Sequence, residues 1–248
     1  MEYAEYKIMF EAEDRHWWYQ GLRGVLFTLL RLDEGTSRSL KILDAGCGTG
    51  GNLAALQEAG FNWEGFDYSP VAVDFCRARG LERVRIGSIQ DIPYADSEFD
   101  IVISCDVLND AGTSHEAQAL AELYRVLKPG GRVFLNLPAF SFLRGEHDRA
   151  TDVARRYTSK VIRLKLSEAG FARVRATYWN MFLFPVVLLV RMLRHGRGAK
   201  GEARSDIAVP PAPVNLVLIL IMRLEGQLIS FLDLPFGSSL AVVARRPR

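Results

Sequence analysis

Cysteine is scarce: the 248 residues hold three, Cys47, Cys76 and Cys105, at spacings that match no metal-ligand pattern. No metal site is expected, and a disulfide-stapled scaffold is excluded. An odd number of thiols without a disulfide framework fits a reducing cytosol. Excess charge is missing too. A net charge of +2 with no basic block leaves no electrostatic footprint for a nucleic acid. The N-terminus, MEYAEYKIMFEAEDRHWWYQ, lacks a signal-peptide profile, so a cytoplasmic location is expected. Nor does any apolar run read as long enough for the roughly twenty residues a membrane span needs, and Pro185 interrupts the first of the two longest.

What is present is a repeating strand–helix alternation. Residues 1–38 read as a helical N-terminal arm, with Leu22, Val25, Leu26, Leu29 and Leu30 at helical spacing. Leu40–Ala45 reads as a short buried strand, followed by a glycine turn and a helix over Asn52–Ala59. Strand Trp63–Phe66 ends on Asp67, and Ser69-Pro70 opens the next helix as cap and first residue. Val84–Ile86 and Phe99–Cys105 are further strands. A helix over Ser114–Leu127 stops at KPGG, a turn, before strand RVFLNL. After a polar stretch come helix SKVIRLKLSEAGF and strands ARVRATYW and SLAVVAR. Crossovers of these lengths demand parallel neighbours, so a doubly wound α/β sheet is expected. The domain reading is a cap over 1–38, a Rossmann-like unit over 39–179 and 238–248, and an apolar helical insertion over 180–237.

LDAGCGTGGN, Leu43 to Asn52, raises the chemical question. Gly46, Gly48 and Gly51 satisfy the G-x-G-x-x-G spacing of a dinucleotide-binding turn. Glycines there let backbone N–H groups approach a ligand at a helix N-terminus. Asp67, at the end of the second strand, can accept both hydroxyls of a ribose. None of this separates NAD from another adenosine cofactor.

The wider pattern resembles the class I S-adenosylmethionine-dependent methyltransferases. Four blocks carry the resemblance in order: ILDAGCGTGGN, GFDYSP, GSIQDIPYADSEFDIVISCDVL and LYRVLKPGGRVFLNLP. It implies a seven-stranded sheet with an antiparallel last strand, S-adenosylmethionine as cofactor and S-adenosylhomocysteine as product. By the same analogy Asp44 helps hold the methionine amino end, and Gly46, Cys47 and Gly48 pass under the methionine and ribose. Asp67, beside Tyr68, takes the ribose hydroxyls. Ser88 and Ile89 flank adenine, and Cys105 and Asp106 floor the methionine. Two departures stand out: Ser88 replaces a common Asp, and Asn109-Asp110 replace a Glu-His pair, removing the obvious general base.

A subgroup of bacterial small-molecule methyltransferases is similar over nearly the full length, in HWWY and in the His-Asp and RRYT of the polar stretch after strand five. There His147 is the expected base and Tyr157 a second catalytic candidate, to hold or deprotonate an acceptor hydroxyl, with Arg155 and Arg156 available to an anionic acceptor. A plain surface loop, Asp148 paired with an arginine and Tyr157 packed on a helix, competes with that. The N-terminal helix of such enzymes often closes over the cofactor. Trp17 and Tyr19 are therefore expected as cofactor wall, and His16 and Trp18 as acceptor contacts, against the alternative of an aromatic clamp on the sheet.

The insertion carries NMFLFPVVLLVRML and VNLVLILIMRLEGQLISFLDLPF around a charged, Pro-rich linker. A lid on the acceptor site, a homodimer contact and a membrane-surface contact are all open. The expected function is methyl transfer to a small or medium-sized, fairly apolar acceptor: a natural-product intermediate, a sugar or a lipid-linked glycan, with oxygen the first choice of atom. Carbon methylation of an electron-rich ring, and a cofactor-binding protein without methyl transfer, are the alternatives. No nucleic-acid partner is expected.

Overall fold

A computed structural model describes residues 3–32, 35–109, 116–145, 148, 153–195 and 208–248, with the side chains of 190–195 left aside. The arm is two helices, α1 (Tyr3–Ala12) and α2 (Trp17–Leu30), broken at residues 13–16 where His16 caps α2. Then follow β1 (Lys41–Ala45), α3 (Gly51–Glu58), β2 (Asn62–Asp67), α4 (Pro70–Ala78), β3 (Val84–Ile86) and β4 (Phe99–Cys105). The second half holds α5 (Glu116–Val126), β5 (Leu127–Pro138), α6 (Ser159–Glu168), β6 (Ala172–Trp179), α7 (Phe184–His195), α8 (Ala212–Phe231) and β7 (Ser239–Arg245).

The strands form one seven-stranded sheet in the order β3-β2-β1-β4-β5-β7-β6. β1 to β5 are parallel, and β7 runs antiparallel to both β5 and β6. This is the class I methyltransferase architecture that the resemblance implied. Its topological switch falls between β1 and β4, so the carboxyl ends of β1, β2 and β4 frame the cleft where such sheets bind ligands. The near-continuous burial of β1, β4 and β5 reflects a parallel sheet covered on both faces. Leu43, Val102 and Leu135 belong to the core on one face; Ile42, Ile103 and Phe134 belong to that on the other.

Two local readings need correction. KPGG is not a turn ahead of β5 but lies inside it: Leu127 pairs with Phe99, and the register shifts before Arg132 pairs with Ile101. Gly130 takes φ +83° there, so the strand absorbs the irregularity as a bulge. The second apolar run also meets a length and composition that the sequence reading denied it. α8 spans 20 residues, Ala212–Phe231, and by length and composition is apolar enough to cross a membrane. It begins in the Pro-rich linker, and Arg223 and Glu225 do not interrupt it. It is nevertheless fastened to the domain. Asn215 accepts from Trp17 N–H at 3.1 Å and donates to the Arg15 carbonyl at 2.8 Å. Met222 rests on Gly21, and buried Glu225 accepts the backbone N–H groups of Asn180, Met181 and Phe182.

Candidate active site

The cleft is built by the turn after β1. Gly46 and Gly48 sit at φ +81° and +54°, left-handed conformations that disfavour a side chain. A Cβ at Gly46 would lie 2.4 Å from Val107, and one at Gly48 would lie 3.0 Å from the Met9 methyl. The turn is thus pressed between the β4 end and the N-terminal arm. Gly46 and Cys47 donate to the Phe66 carbonyl at 2.9 and 3.0 Å, and Gly48 donates to Asp67 Oδ2 at 2.8 Å. Asp67 Oδ1 accepts from Ser69 N–H at 2.9 Å. Two backbone N–H groups therefore orient that carboxylate while leaving it further acceptor capacity. Burial pushes its pKa up and those N–H groups oppose the rise.

Asp44, the penultimate residue of β1, is the most exceptional group in the cleft. It is fully buried, and neither carboxylate oxygen has a hydrogen-bond partner. Burial raises its pKa from 3.8 to about 7; the neighbouring Asn52 amide works against this, and the charges of Asp67 and Glu13 add to it. A buried carboxylate without donors is costly unless a ligand supplies them. The surrounding acids point the same way. Glu5 Oε2 is buried without a partner, and Glu5, Glu13 and Asp106 all bear on Tyr19, whose own pKa is raised chiefly by burial. A cation with hydrogen-bond donors suits this environment.

Asp106 follows β4 at φ +56°, held by its N–H on the Asn136 carbonyl at 2.9 Å. Its Oδ2 accepts from Asn136 Nδ2 at 2.7 Å, and Asn136 Oδ1 accepts from Trp179 Nε1 at 2.8 Å. That chain links the ends of β4, β5 and β6 and fixes the carboxylate. Burial raises the pKa of Asp106 to about 6, against the pull of Asn136 and the Arg156 charge. Asn136, Trp179 and Asn52 were not singled out in the sequence, where nothing distinguishes them from ordinary strand and helix residues.

The arm is locked on the turn by residues equally invisible in the sequence. Arg79, capping α4, donates to the Thr49 carbonyl at 2.9 Å, to the Phe10 carbonyl at 3.0 Å and to Glu13 Oε1 at 2.7 Å. Thr49 Oγ1 donates to the same Glu13 oxygen at 2.6 Å. These partners lie too far apart in the chain for any spacing rule to join them.

Other expected residues are placed as follows. Cys47 is buried with its Sγ 3.9 Å from Cys76 Sγ, and Cys105 contacts the Asn52 amide at 3.8 Å; burial raises both thiols, with the Cys76 contact the largest cause at Cys47. Tyr68 is 81% exposed at the rim. Ser88 turns its hydroxyl to Gln90 N–H at 3.1 Å, whereas the Ile89 side chain packs in the core. Tyr19 is the aromatic that lies among the cleft carboxylates. Trp18 packs on Trp179 with ring centres 5.4 Å apart, and Trp17 packs with it against the core under α2. His16 Nδ1 accepts Trp18 N–H at 3.2 Å, and burial lowers its pKa to about 4, so it is a neutral cap.

The acceptor half differs from expectation. His147 and Asp110 lie outside the described residues. Arg156 does not await an anion: it grips Asp148 at 2.7 Å and the Ala139 carbonyl at 2.8 Å. Arg155 pairs with Glu116 at 2.5 Å, which Lys165 also meets at 2.9 Å. Tyr157 is a core residue whose hydroxyl donates to the Leu108 carbonyl at 3.1 Å. Arg156 and Tyr157 are buried with their polar groups held by the fold and serve as architecture here, whereas Arg155 is paired but 31% exposed.

Comparison with known proteins adds a match over part of the chain. Residues 43–135 match the model of a methyltransferase domain. A probable tRNA methyltransferase 9B of Bos taurus is 32% identical over 130 residues, 52% of this chain and 28% of that one. A malonyl-[acyl-carrier protein] O-methyltransferase of Serratia marcescens is 35% identical over 105 residues, 42% of this chain and 40% of that one. The chain thus spans less than half of either relative. Among solved structures, a possible histamine N-methyltransferase of Thermotoga maritima aligns with TM-score 0.60 at 17% identity, over 98% of this chain and 95% of its own. A Haemonchus contortus phosphoethanolamine N-methyltransferase 2 bound to S-adenosylhomocysteine aligns with TM-score 0.56 at 20% identity, over 90% of this chain and 52% of its own.

Proposed function

We propose that this protein is a class I S-adenosylmethionine-dependent methyltransferase, a reading supported by the methyltransferase-domain match over residues 43–135, and that it transfers a methyl group to a small or medium-sized, fairly apolar acceptor, at oxygen. The observation that carries the cofactor half is Asp44, buried with both oxygens free of hydrogen bonds beside a glycine turn. S-Adenosylmethionine brings an ammonium group and a methyl already activated on a sulfonium. Asp44 would take the ammonium, and Asp67 the ribose hydroxyls through its remaining lone pairs. The carboxylates of the cleft favour a cationic ligand over the neutral thioether product.

With the methyl already activated, the protein's work is alignment and exclusion of water. An acceptor hydroxyl must also lose its proton, and we assign the Asp106 carboxylate, after β4, as the base. Bound S-adenosylmethionine would supply the methyl cation equivalent and keep the sulfur electron pair, and Asp106 Oδ1 would hold the proton given up by the acceptor. Asn136 and Trp179 act as positioning residues for Asp106. Ionised Asp106 is required, so the rate should rise as pH increases through about 6 and then level.

Calorimetric titration of S-adenosylhomocysteine into the wild type and Asp67→Ala tests the cofactor half. Micromolar binding that collapses in the variant is expected; no binding to folded wild type overturns the reading. A labelled-methyl screen of hydroxylated lipids, sugars and phenols follows. Asp106→Asn should then lose about 10²-fold in kcat and its acid limb, with S-adenosylhomocysteine affinity retained.

A further inference from the structure

α8 is apolar on both sides, and only one side is covered. Ile219, Met222 and Ile229 face inward. Val217, Leu220, Leu224, Leu228 and Phe231 recur at helical spacing on the outer side, with Leu220 48%, Leu224 59% and Phe231 87% exposed. α7 adds exposed Val186 and Leu189. Most of the large apolar side chains that stand exposed among the described residues fall between Phe182 and Phe236. Such concentration marks an interaction surface rather than scatter.

We propose that this face is a docking surface for anionic lipid membranes, with α8 lying in the interface and not spanning it. The inference stands on the insertion's surface, independently of methyl transfer. The charges decide the occupant. Arg223 is exposed on α8 and makes no ion pair or hydrogen bond among the described residues. The acids nearby are spent: Glu225 is buried beneath three backbone N–H groups, and Asp233 is paired with Arg175 at 2.7 Å. A self-complementary contact with a second copy would bring another arginine, unpaired among the described residues, to a face where no described carboxylate is free, at a desolvation cost. Phosphate head groups answer that arginine while acyl chains take the leucines. Beside Arg223, α2 and α8 leave a groove of about 460 Å³ lined by Gly24, Gly226 and Met222, with Arg23 at its edge. A Cβ at Gly24 or Gly226 would meet nothing within 4 Å, so the groove floor is open to an apolar chain. Spanning is opposed by the bonds of Asn215 and Glu225, which fasten α8 to α2 and to the end of β6.

Co-sedimentation of the full chain with phosphatidylcholine vesicles, with and without phosphatidylglycerol, tests this. Wild type should pellet with the mixed vesicles and much less with phosphatidylcholine alone. L220E/L224E should reduce the bound fraction at least about tenfold. R223E should weaken binding several-fold on anionic vesicles only. Both variants alter exposed side chains, so thermal melting should match wild type and certify the fold. Wild type left in the supernatant with both vesicles overturns the proposal. So does a lipid-free dimer in sedimentation velocity that L220E/L224E dissociates, since a second copy would then cover the face.

Discussion

Asp44 and Asp148 are both buried carboxylates, 0% and 2% exposed, yet their surroundings are opposite. Asp44, at the end of β1, has no hydrogen bond on either oxygen. Asp148, beyond β5, is held by Arg156 through two nitrogens and by Gly145 N–H at 2.6 Å. Buried polar atoms are almost always paired inside a fold, so an unpaired one marks where a ligand completes the structure, whereas a paired one marks structure already complete. Asp44 is therefore poised for a molecule, whereas Asp148 is already satisfied among the described residues. That contrast separates residues of the same chemical type, such as Asp and Arg, that look equally functional when read by identity alone.

The contrast can be broken most forcefully at its closed end. Arg156→Ala leaves Asp148 buried without its cation, and should destabilise the fold by about 3–5 kcal/mol in denaturant melts while S-adenosylhomocysteine affinity stays within error. A large loss of affinity with little loss of stability would instead make Arg156 a ligand contact. At the open end, Asp67→Ala should weaken S-adenosylhomocysteine about 100-fold with little change in melting temperature.

Asp44 sharpens the comparison through pH. Its pKa is raised from 3.8 in the unfolded chain to about 7 in the ligand-free fold. Ionisation therefore costs stability progressively between those values, and the cost is complete above the upper one. A bound ammonium would favour the ionised form, so cofactor affinity should rise with pH up to about 7 and proton release should accompany binding below it. Asp44→Asn should raise the melting temperature of the ligand-free protein at about pH 8, yet weaken S-adenosylhomocysteine about tenfold and flatten its pH dependence. The smallest effect belongs to Tyr157→Phe, which removes one hydroxyl from the Leu108 carbonyl: about 1 kcal/mol of stability, with methyl transfer retained.

Legibility in the sequence follows the range of the interactions. Val84–Ile86, Phe99–Cys105 and Ser239–Arg245 are strands with the limits expected of them, because a buried strand announces itself in its own residues. The glycine turn and Asp67 are local features too: a left-handed turn, a helix start and an acid at a strand end. For Arg156 and Tyr157 the sequence offers both a chemical and an architectural reading, and only the assembled fold chooses between them, because an arginine's partner is set by tertiary packing. Glu13 with Arg79, and Asp106 with Asn136 and Trp179, join only once the sheet is assembled. α8 begins two residues before the quoted run, because Pro213 is tolerated in a first helical turn, and its apolar length was misjudged because Arg223 and Glu225 read as interruptions although one helix carries them through.

The pairing of β6 with β7 has a consequence for how this protein diversifies. Trp179 stands opposite Ser239 in the ladder, and Asn180 donates to Ser238 at 2.7 Å. The insertion therefore leaves and re-enters the sheet at neighbouring points, as a hairpin loop does. A segment of almost any length can be carried between such points, because closing a longer loop costs little more than closing a short one. The turn after β1 is untouched by such an exchange. Evolution, or an engineer, could vary the outward-facing residues and the length of this segment and so change what the protein meets, provided Asn215, Met222 and Glu225 keep their seats on α2 and the end of β6.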